Sequence, residues 1–257
     1  MTFETINYDL NGPIATVTLN RPKVYNSFDK TLRSELSEAF DLIEAAQDVR
    51  VCIIKGAGKG FSAGGDLTDF GYDPISDLIV GEFLPLFEKV DKGTVIYIAQ
   101  IHGSCAGIAA ALAMTCDFIT MAEDSALYMA FAAIALAPDG GNTFHLMNAM
   151  GYRRALEAIV EGRHIPAAEC KDFGIANRVY SADELDAETA AWAGRIAATA
   201  PLATTATKRV LRSMVGRTWA DTVKAEAEEQ NTLIKTNDFK RGAAAFRDKS
   251  SPCFKGD

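Results

Sequence analysis

The sequence is short of positive charge, which restricts the partners that it can bind. It has 26 Lys and Arg residues against 34 Asp and Glu residues, and its formal net charge at pH 7 is −8. Nucleic acids and anionic membranes attract proteins through a basic surface field. We therefore expect neither a nucleic acid nor a membrane as a partner.

Cysteine and histidine are scarce and form no recognisable motif. The five cysteines stand at positions 52, 105, 116, 170 and 253 without a Cys-X-X-Cys pair, and the three histidines lack zinc-site spacing. The pattern argues against a disulfide framework and favours free thiols in a reducing compartment. We expect a cytoplasmic protein that holds no metal ion.

Long apolar runs and export signals are also missing. The most apolar stretch, 94–121, is interrupted by residues such as Gln100, His102 and Asp117. It therefore lacks the roughly 20 uninterrupted apolar residues that a membrane-spanning helix needs. The first twenty residues contain two acidic and no basic side chains, so no signal peptide is expected.

Common nucleotide and hydrolase motifs are missing or stand in the wrong context. There is no GxxxxGK[ST] and no GxGxxG after the first predicted strand. GxSxG occurs at 60–64, but the turn-rich loop predicted after it gives no strand-to-helix nucleophile elbow. The sequence therefore predicts neither a P-loop nucleotide site, nor a Rossmann dinucleotide site, nor a serine hydrolase.

What is present is a pattern typical of an α/β protein. Apolar residues make up 48% of the chain, enough for a packed core. Strands are predicted at 14–19, 51–54, 95–101 and 118–121, and helices at 84–90 and 108–115. Apolar residues at helical spacing after position 30 predict a further helix, capped by Asn26 or Ser27. Beyond Pro138 the pattern predicts helices at 143–150, 153–161, 167–173, 182–199, 202–215 and 219–234.

Two glycine-containing turns each follow a predicted buried strand. The first is Gly60-Phe61-Ser62-Ala63-Gly64-Gly65-Asp66-Leu67, and the second is Gly103-Ser104-Cys105-Ala106-Gly107-Ile108. Glycine permits positive φ and exposes peptide N–H groups, and two such groups aimed at one point form an oxyanion hole. Either turn alone is typical of simple packing, so the inference depends on their combination with the rest of the sequence.

That combination resembles the crotonase superfamily, the enoyl-CoA hydratase/isomerase family. The resemblance runs from about Ile14 to Lys255 and is carried by five segments: GAGKGFSAGGDL at 56–67, IAQIHGSCAG at 98–107, CDF at 116–118, LAPDGGNT at 136–143 and AAFRDKSSPCFKG at 244–256. It implies an α/β fold of repeated ββα units wound as a spiral. Residues 1–195 would form this core with the CoA-thioester site. Residues 196–257 would form a helical region for trimerisation and CoA contact, in a homotrimer or a dimer of trimers.

The resemblance also assigns the chemistry. The two oxyanion-hole amides fall on Gly65 and on Ile108, where most members have glycine. The two glutamates of the hydratases correspond to Ala111 and Phe131, neither of which can hold or activate water. Asp139 directly follows Pro138, as an acidic residue does in the isomerase branch, and we interpret it as the acid/base.

The CoA contacts implied by the resemblance are spread along the chain. Lys23 would lie near the adenosine phosphate, and Ala63, Asp66 and Leu67 would supply main chain on the adenine side. Lys249, Phe246 and Phe254 match a tail that in relatives reaches the adenine and phosphates, often of a neighbouring subunit. No tightly bound cofactor is implied, because coenzyme A enters as part of the substrate thioester.

The sequence thus predicts a Δ3-Δ2 enoyl-CoA isomerase, or an enzyme for a related rearrangement on a ring. The alternatives are other crotonase chemistry (hydratase, lyase or hydrolase) and an acyl-CoA-binding member without activity. Residues 71–81 and 129–131 are expected to shape the acyl pocket. Six aromatic or sulfur-containing side chains could line it or belong to the core: Tyr72, Phe83, Phe87, Tyr128, Met129 and Phe144.

Overall fold

The structure is a computed structural model that describes residues 2–69, 71 and 74–257. The chain divides into two compact units, Met1–Ala193 and Gly194–Asp257. The strands, all in the first unit, are β1 (Ile6–Asn11), β2 (Ile14–Leu19), β3 (Val51–Gly56), β4 (Ile96–Ile101), β5 (Ser104–Ala106), β6 (Phe118–Ala122), β7 (Ala126–Tyr128), β8 (His164–Pro166) and β9 (Arg178–Tyr180).

Helices occur in both units. Those that begin in the first unit are α1 (Lys30–Ala45), α2 (Ser76–Leu78), α3 (Leu84–Lys92), α4 (Ile108–Thr115), α5 (Asn142–Val160), α6 (Ala167–Asp172) and α7 (Leu185–Ala197). The second unit contains α8 (Pro201–Arg212), α9 (Trp219–Leu233) and α10 (Asn237–Asp248). A π-helical segment, Ile79–Phe83, joins α2 to α3. Within the described ranges, no helix combines the length and apolarity needed to cross a membrane.

A six-stranded sheet in the order β1-β2-β3-β4-β6-β9 organises the first unit. β1 and β2 form an antiparallel hairpin, and the other neighbouring pairs are parallel. β3 and β4 are almost continuous apolar runs, as expected for parallel strands that are covered on both faces. A second sheet has the order β5-β7-β8. The expected α/β class is confirmed.

Helix α1 covers the sheet with the apolar stripe that the sequence predicted. Leu32, Leu36, Phe40 and Ile43 are all completely buried, and burial of such side chains contributes about 1.5–3 kcal/mol each. The ring of Phe40 meets that of Tyr97 on β4 edge to face, with centroids 5.4 Å apart. This contact fixes α1 against the strand that leads to the second glycine turn.

The predicted cap of α1 was wrong. The cap is Asp29, whose Oδ1 accepts a hydrogen bond from the Leu32 N–H at 2.8 Å. Asn26 is instead completely buried with a positive φ, and its Nδ2 donates to the carbonyls of Ala57, Gly60 and Phe61. The residue that resembled a cap therefore ties the chain before α1 to the first glycine turn.

Several elements escaped prediction for local reasons. In β1 only Ile6 is buried, so no apolar alternation exists, and β5 and β7–β9 are three residues each, too short to show a period. Helix α10 is polar and buries only Asp238 and Ala245. The predicted break between 150 and 153 falls inside α5 at Gly151, which has non-helical dihedral angles.

Candidate active site

The two glycine turns lie against each other at the carboxyl ends of β3 and β4. Gly64 has a φ of +94°, and a Cβ placed on it would lie 2.7 Å from the Ala106 carbonyl oxygen and 3.5 Å from the Ile108 nitrogen. Only glycine fits such an approach. The close approach of Gly64 to the second turn brings Gly65 next to the start of α4.

Backbone hydrogen bonds hold the first turn from both sides. The Ser62 N–H donates to Ser104 O and Ala106 N–H donates to Ser62 O, while Phe28 N–H donates to Gly64 O and Asp66 N–H to Phe28 O. These strand-like contacts use the Gly64 carbonyl and the Asp66 N–H, which flank Gly65. The N–H of Gly65 itself donates to none of the described residues.

The second amide begins a helix. Ile108 is the first residue of α4 and follows Gly107, whose φ of 55° and ψ of −126° suit glycine. Among the described residues, neither the Gly65 N–H nor the Ile108 N–H has a hydrogen-bond partner. Both residues line one cavity of about 460 Å³. Two free amides and a helix N-terminus can stabilise negative charge on a carbonyl oxygen there.

Asp139 lies in the wall of the same cavity. It precedes the turn Gly140-Gly141 at the start of α5. Its Oδ1 is buried and has no hydrogen-bond partner within the described part of the chain. Burial raises the pKa of the Asp139 carboxyl above its ordinary value of 3.8, although a hydrogen bond from its own backbone N–H opposes the increase. A carboxylate with one unpartnered oxygen and a raised pKa is suited to exchanging a proton with a ligand.

Two other described carboxylates line the cavity, and both are engaged. Asp66 accepts hydrogen bonds from Thr68, Arg21 and Ser27, which lower its pKa to about 2, with the Thr68 hydroxyl the largest cause. Asp69 forms an ion pair of 2.8 Å with Arg33. These carboxylates shape the chain around the cavity rather than offering a free oxygen to it.

The positions that carry glutamates in hydratases are apolar and tightly packed. Ala111 is completely buried on α4, and a Cβ placed on Gly140 would lie only 3.0 Å from its Cβ. Phe131 lines the cavity, with its ring tip 3.8 Å from where a Cβ on Gly107 would stand. Both places where a water-activating carboxylate is expected are therefore occupied by hydrocarbon or backbone.

The rest of the cavity wall is mostly apolar. Its larger apolar side chains are Phe28, Leu67, Ile75, Leu78, Ile79, Phe83, Ile108, Phe131, Ile134 and Leu136. Of the six proposed lining residues, Phe83 and Tyr128 contact the cavity, Phe87 and Met129 belong to the core, and Phe144 is exposed. Tyr72 lies outside the described residues.

The predicted CoA-contact residues are placed in three locations. Lys23 is exposed in a short 3-10 helix, Pro22–Val24. Ala63, Asp66 and Leu67 line the cavity, but the N–H groups of Ala63 and Asp66 already donate to the carbonyls of Tyr25 and Phe28. Lys249, at the end of α10, and Phe254, which is half-buried beside Gly242, belong to the second unit.

Two residues of the site region were missed by the sequence analysis. Arg33 on α1 is buried and pairs with Asp69 and with Glu82, at 2.8 Å each, so it holds the chain on both sides of 70–73. In the sequence it is simply a polar position in an amphipathic helix. Asn142 is completely buried at the start of α5. The sequence marks it only as an amide residue that follows two glycines, which does not distinguish it from a turn residue.

Comparisons with known proteins identify the family and the fold. Residues 9–257 match the family described as Enoyl-CoA hydratase/isomerase. The chain is 30% identical to the trans-2-decenoyl-[acyl-carrier-protein] isomerase of Streptococcus mutans, over the whole of both chains. It is 31% identical to the 1,2-epoxyphenylacetyl-CoA isomerase of Escherichia coli, over 95% of each chain. Among solved structures, an enoyl-CoA hydratase from Bacillus anthracis has a TM-score of 0.93 at 28% identity, covering 99% of this chain and 100% of that one. The expected crotonase-type fold is confirmed.

Proposed function

Because the chain belongs to the enoyl-CoA hydratase/isomerase family, we propose that it moves the double bond of an enoyl-CoA thioester, with Asp139 as its single acid/base. The observation that carries the proposal is the distribution of carboxylates in the cavity wall. Among the described lining residues, only Asp139 offers a buried oxygen without a partner, beside two free amides. Proton transfer by one group needs no more than this.

In the proposed mechanism the thioester carbonyl oxygen accepts hydrogen bonds from the N–H groups of Gly65 and Ile108. Asp139 removes a proton from C2 of a 3-enoyl-CoA, and the electron pair moves into the thioester to give a dienolate. The two amides stabilise the negative oxygen. When the dienolate collapses, a C2=C3 double bond forms and Asp139 returns the proton to C4. The net result is a 2-enoyl-CoA of unchanged mass.

The raised pKa of Asp139 supports this role. A general acid/base works best when its pKa lies near the pH of the reaction, because it must both accept and release the proton. The mostly apolar wall, with Phe83 and Phe131 among its rings, would enclose an aliphatic or ring-bearing acyl group.

The relatives carry both isomerase and hydratase names, so the names alone leave the reaction open. Hydration by two carboxylates would need acidic groups where this chain has Ala111 and Phe131. We therefore favour isomerisation, the class of reaction that both isomerase names share.

The test is product analysis on a panel of 3-enoyl-CoA thioesters of increasing chain length, one ring substrate and a matching acyl-carrier-protein thioester. We expect a product of equal mass with its double bond at C2, and loss of turnover in Asp139→Asn with thioester binding retained. A product heavier by one water would refute isomerisation in favour of hydration. Equal turnover in the wild type and Asp139→Asn would refute Asp139 as the acid/base.

We also propose that the protein assembles as a homotrimer or a dimer of trimers. Large apolar side chains of the second unit are strongly exposed in the single chain, among them Trp219 at 83% and Phe246 at 90%. Such exposure in a lone chain is typical of a surface that is covered by a partner. Light scattering coupled to size-exclusion chromatography would test the proposal, and a mass near 27.6 kDa would refute it.

A further inference from the structure

We propose that Asn142 is a positioning residue that sets the direction of the Ile108 N–H and ties it to the chain segment carrying Asp139. The inference rests on the proposed function, because it assumes that this N–H receives a thioester carbonyl. Asn142 is absent from the cavity wall, so its action would pass through the backbone that it binds.

The side-chain amide of Asn142 bridges the two halves of the site. Its Nδ2 donates to the Gly107 carbonyl at 3.0 Å and to the Asp139 carbonyl at 3.0 Å. Both acceptors are backbone oxygens, which cannot donate, so the NH₂ end of the amide must face them. Both hydrogens of the NH₂ group are thereby used.

The Gly107 carbonyl belongs to the same peptide unit as the Ile108 N–H. A trans peptide is planar and its C=O and N–H point in opposite directions, so holding the oxygen also fixes the direction of the hydrogen. Gly107 gives this unit more freedom to rotate than any other residue would. The same oxygen accepts helix bonds from Ala110 and Ala111, at 3.1 and 3.4 Å, and Asn142 adds a donor from outside α4.

The second bond of Nδ2 joins this peptide to Asp139. The Asp139 carbonyl also accepts from the Asn142 backbone N–H at 3.1 Å, which closes the turn that presents the carboxylate. One buried side chain thus connects the amide expected to hold the thioester oxygen with the segment expected to hold the base. A shift of either would be transmitted to the other.

The desolvation cost of the Asn142 side chain indicates that the two hydrogen bonds of its Nδ2 are needed. The Asn142 Oδ1 is buried without a hydrogen-bond partner among the described residues, and such a group typically costs about 1–3 kcal/mol. An apolar side chain of similar size would avoid that cost. The two bonds made by Nδ2 are what an apolar residue could not provide.

The experiment compares Asn142→Asp with Asn148→Asp as its control. Asn142→Asp keeps the shape of the side chain but replaces the donor by an acceptor that faces two carbonyls. Asn148 is an exposed residue of the same helix, so its variant makes the same change of charge without touching the bridge. Steady-state kinetics on a 3-enoyl-CoA and infrared spectroscopy of a bound saturated acyl-CoA, labelled with ¹³C at the thioester carbonyl, supply the readouts.

In the wild type we expect the C=O stretch of the bound thioester to fall below its value in water, as hydrogen bonds polarise it. In Asn142→Asp this shift should shrink and kcat should fall by about 10- to 100-fold, with KM changed by less than about threefold. Asn148→Asp should match the wild type. Wild-type kcat and carbonyl frequency in folded Asn142→Asp would overturn the proposal.

Asn142→Ser provides a second variant, since it retains one donor and is less disruptive to folding. An intermediate carbonyl shift supports the positioning role, and a wild-type shift with wild-type kcat opposes it. Failure of the isomerase proposal would look different. In that case the wild type would show no isomerisation at all, while the carbonyl shift would still report on Asn142.

Discussion

Replacing Gly140 by alanine should disturb the contact between the Asp139 turn and helix α4. Gly140 has a φ of +62°, and a Cβ placed on it would overlap Ile108 Cδ1 and lie 3.0 Å from Ala111 Cβ and 3.2 Å from Phe87 Cε2. The substitution therefore adds a methyl group between the segment of Asp139, the proposed acid/base, and the residue whose N–H is expected to bind the thioester. We expect both the free energy of unfolding and kcat to fall.

A control substitution at Gly12 separates the two causes of the expected loss of stability, backbone strain and overpacking. Its φ is +56° and nothing lies within 4 Å of a Cβ there, so Gly12→Ala measures the left-handed strain alone, about 1–2 kcal/mol. Overpacking a closed site costs about 1–3 kcal/mol more. We therefore expect Gly140→Ala to lower the free energy of unfolding in urea by about 2–5 kcal/mol, and Gly12→Ala to leave kcat unchanged.

A double-mutant cycle with Ile108→Val identifies the overlapping atom. Valine lacks Cδ1, so Gly140→Ala should cost at least about 1 kcal/mol less in the Ile108→Val background than in the wild type. Equal costs for Gly140→Ala and Gly12→Ala, or purely additive effects of Gly140→Ala and Ile108→Val, would show that the turn and the helix do not pack as described.

Three further predictions concern charged side chains. Folding raises the pKa of Asp139, so its ionised form destabilises the protein and its contribution to stability should fall as pH rises through that pKa. Asp139→Asn should abolish this dependence and unfold at a higher temperature at pH 7. An unchanged dependence of melting temperature on pH in Asp139→Asn would count against burial of the carboxylate. The pKa of Asp66 is lowered to about 2, so its contribution to stability is complete above about pH 4 and is lost as pH falls toward 2. Thermal melts of Asp66→Asn should lack this acid-sensitive component. Identical melts of the wild type and Asp66→Asn in acid would refute the lowered pKa. Arg33→Met removes the guanidinium that pairs with Asp69 and Glu82, and should lower the free energy of unfolding in urea by about 2–3 kcal/mol. A decrease of less than about 1 kcal/mol would show that the ion pairs contribute little.

The sequence was most informative where one local pattern determined one element. The apolar stripe of α1 and the apolar runs of β3 and β4 each specify their structure through burial, whatever the neighbouring segments do. The bounds of α4, Ile108–Thr115, were predicted from a glycine at one end and a polar residue after the other. Such signals need no knowledge of tertiary contacts.

The short and polar elements could not be predicted in this way. β5 is a strand because Ser104 and Ala106 pair with Ser62 of a distant turn and with β7, and nothing inside its three residues indicates this. Asn26 was a plausible cap by composition, but the carbonyls to which its Nδ2 donates lie more than thirty residues away. Hydrogen bonds between distant segments decide such residues, and a single sequence does not display them.

The site itself combines both kinds of information. The residue types of Gly64, Gly65 and Asp139 were visible in the sequence, and their motifs assigned them roles. Three features are properties of packing: the close approach that requires glycine at Gly64, the unpartnered Oδ1 of Asp139 among the described residues, and the bridge made by Asn142. The motifs therefore assign roles that stay predictions, whereas the reasons why each residue type is needed are visible only in the structure.

The two positions where the hydratases are expected to carry glutamates, Ala111 and Phe131, are embedded in this packing. A Cβ placed on Gly140 would lie 3.0 Å from the Ala111 Cβ, so we expect a longer side chain at position 111 to press on the turn that carries Asp139. The Phe131 ring lines the cavity beside Gly107, where we expect it to limit the access of water to the carbonyl that the amides would hold. We therefore expect a carboxylate on α4 and the turn after Pro138 to compete for the same space. Since the turn occupies it in this chain, we expect the transfer of one proton rather than the addition of water.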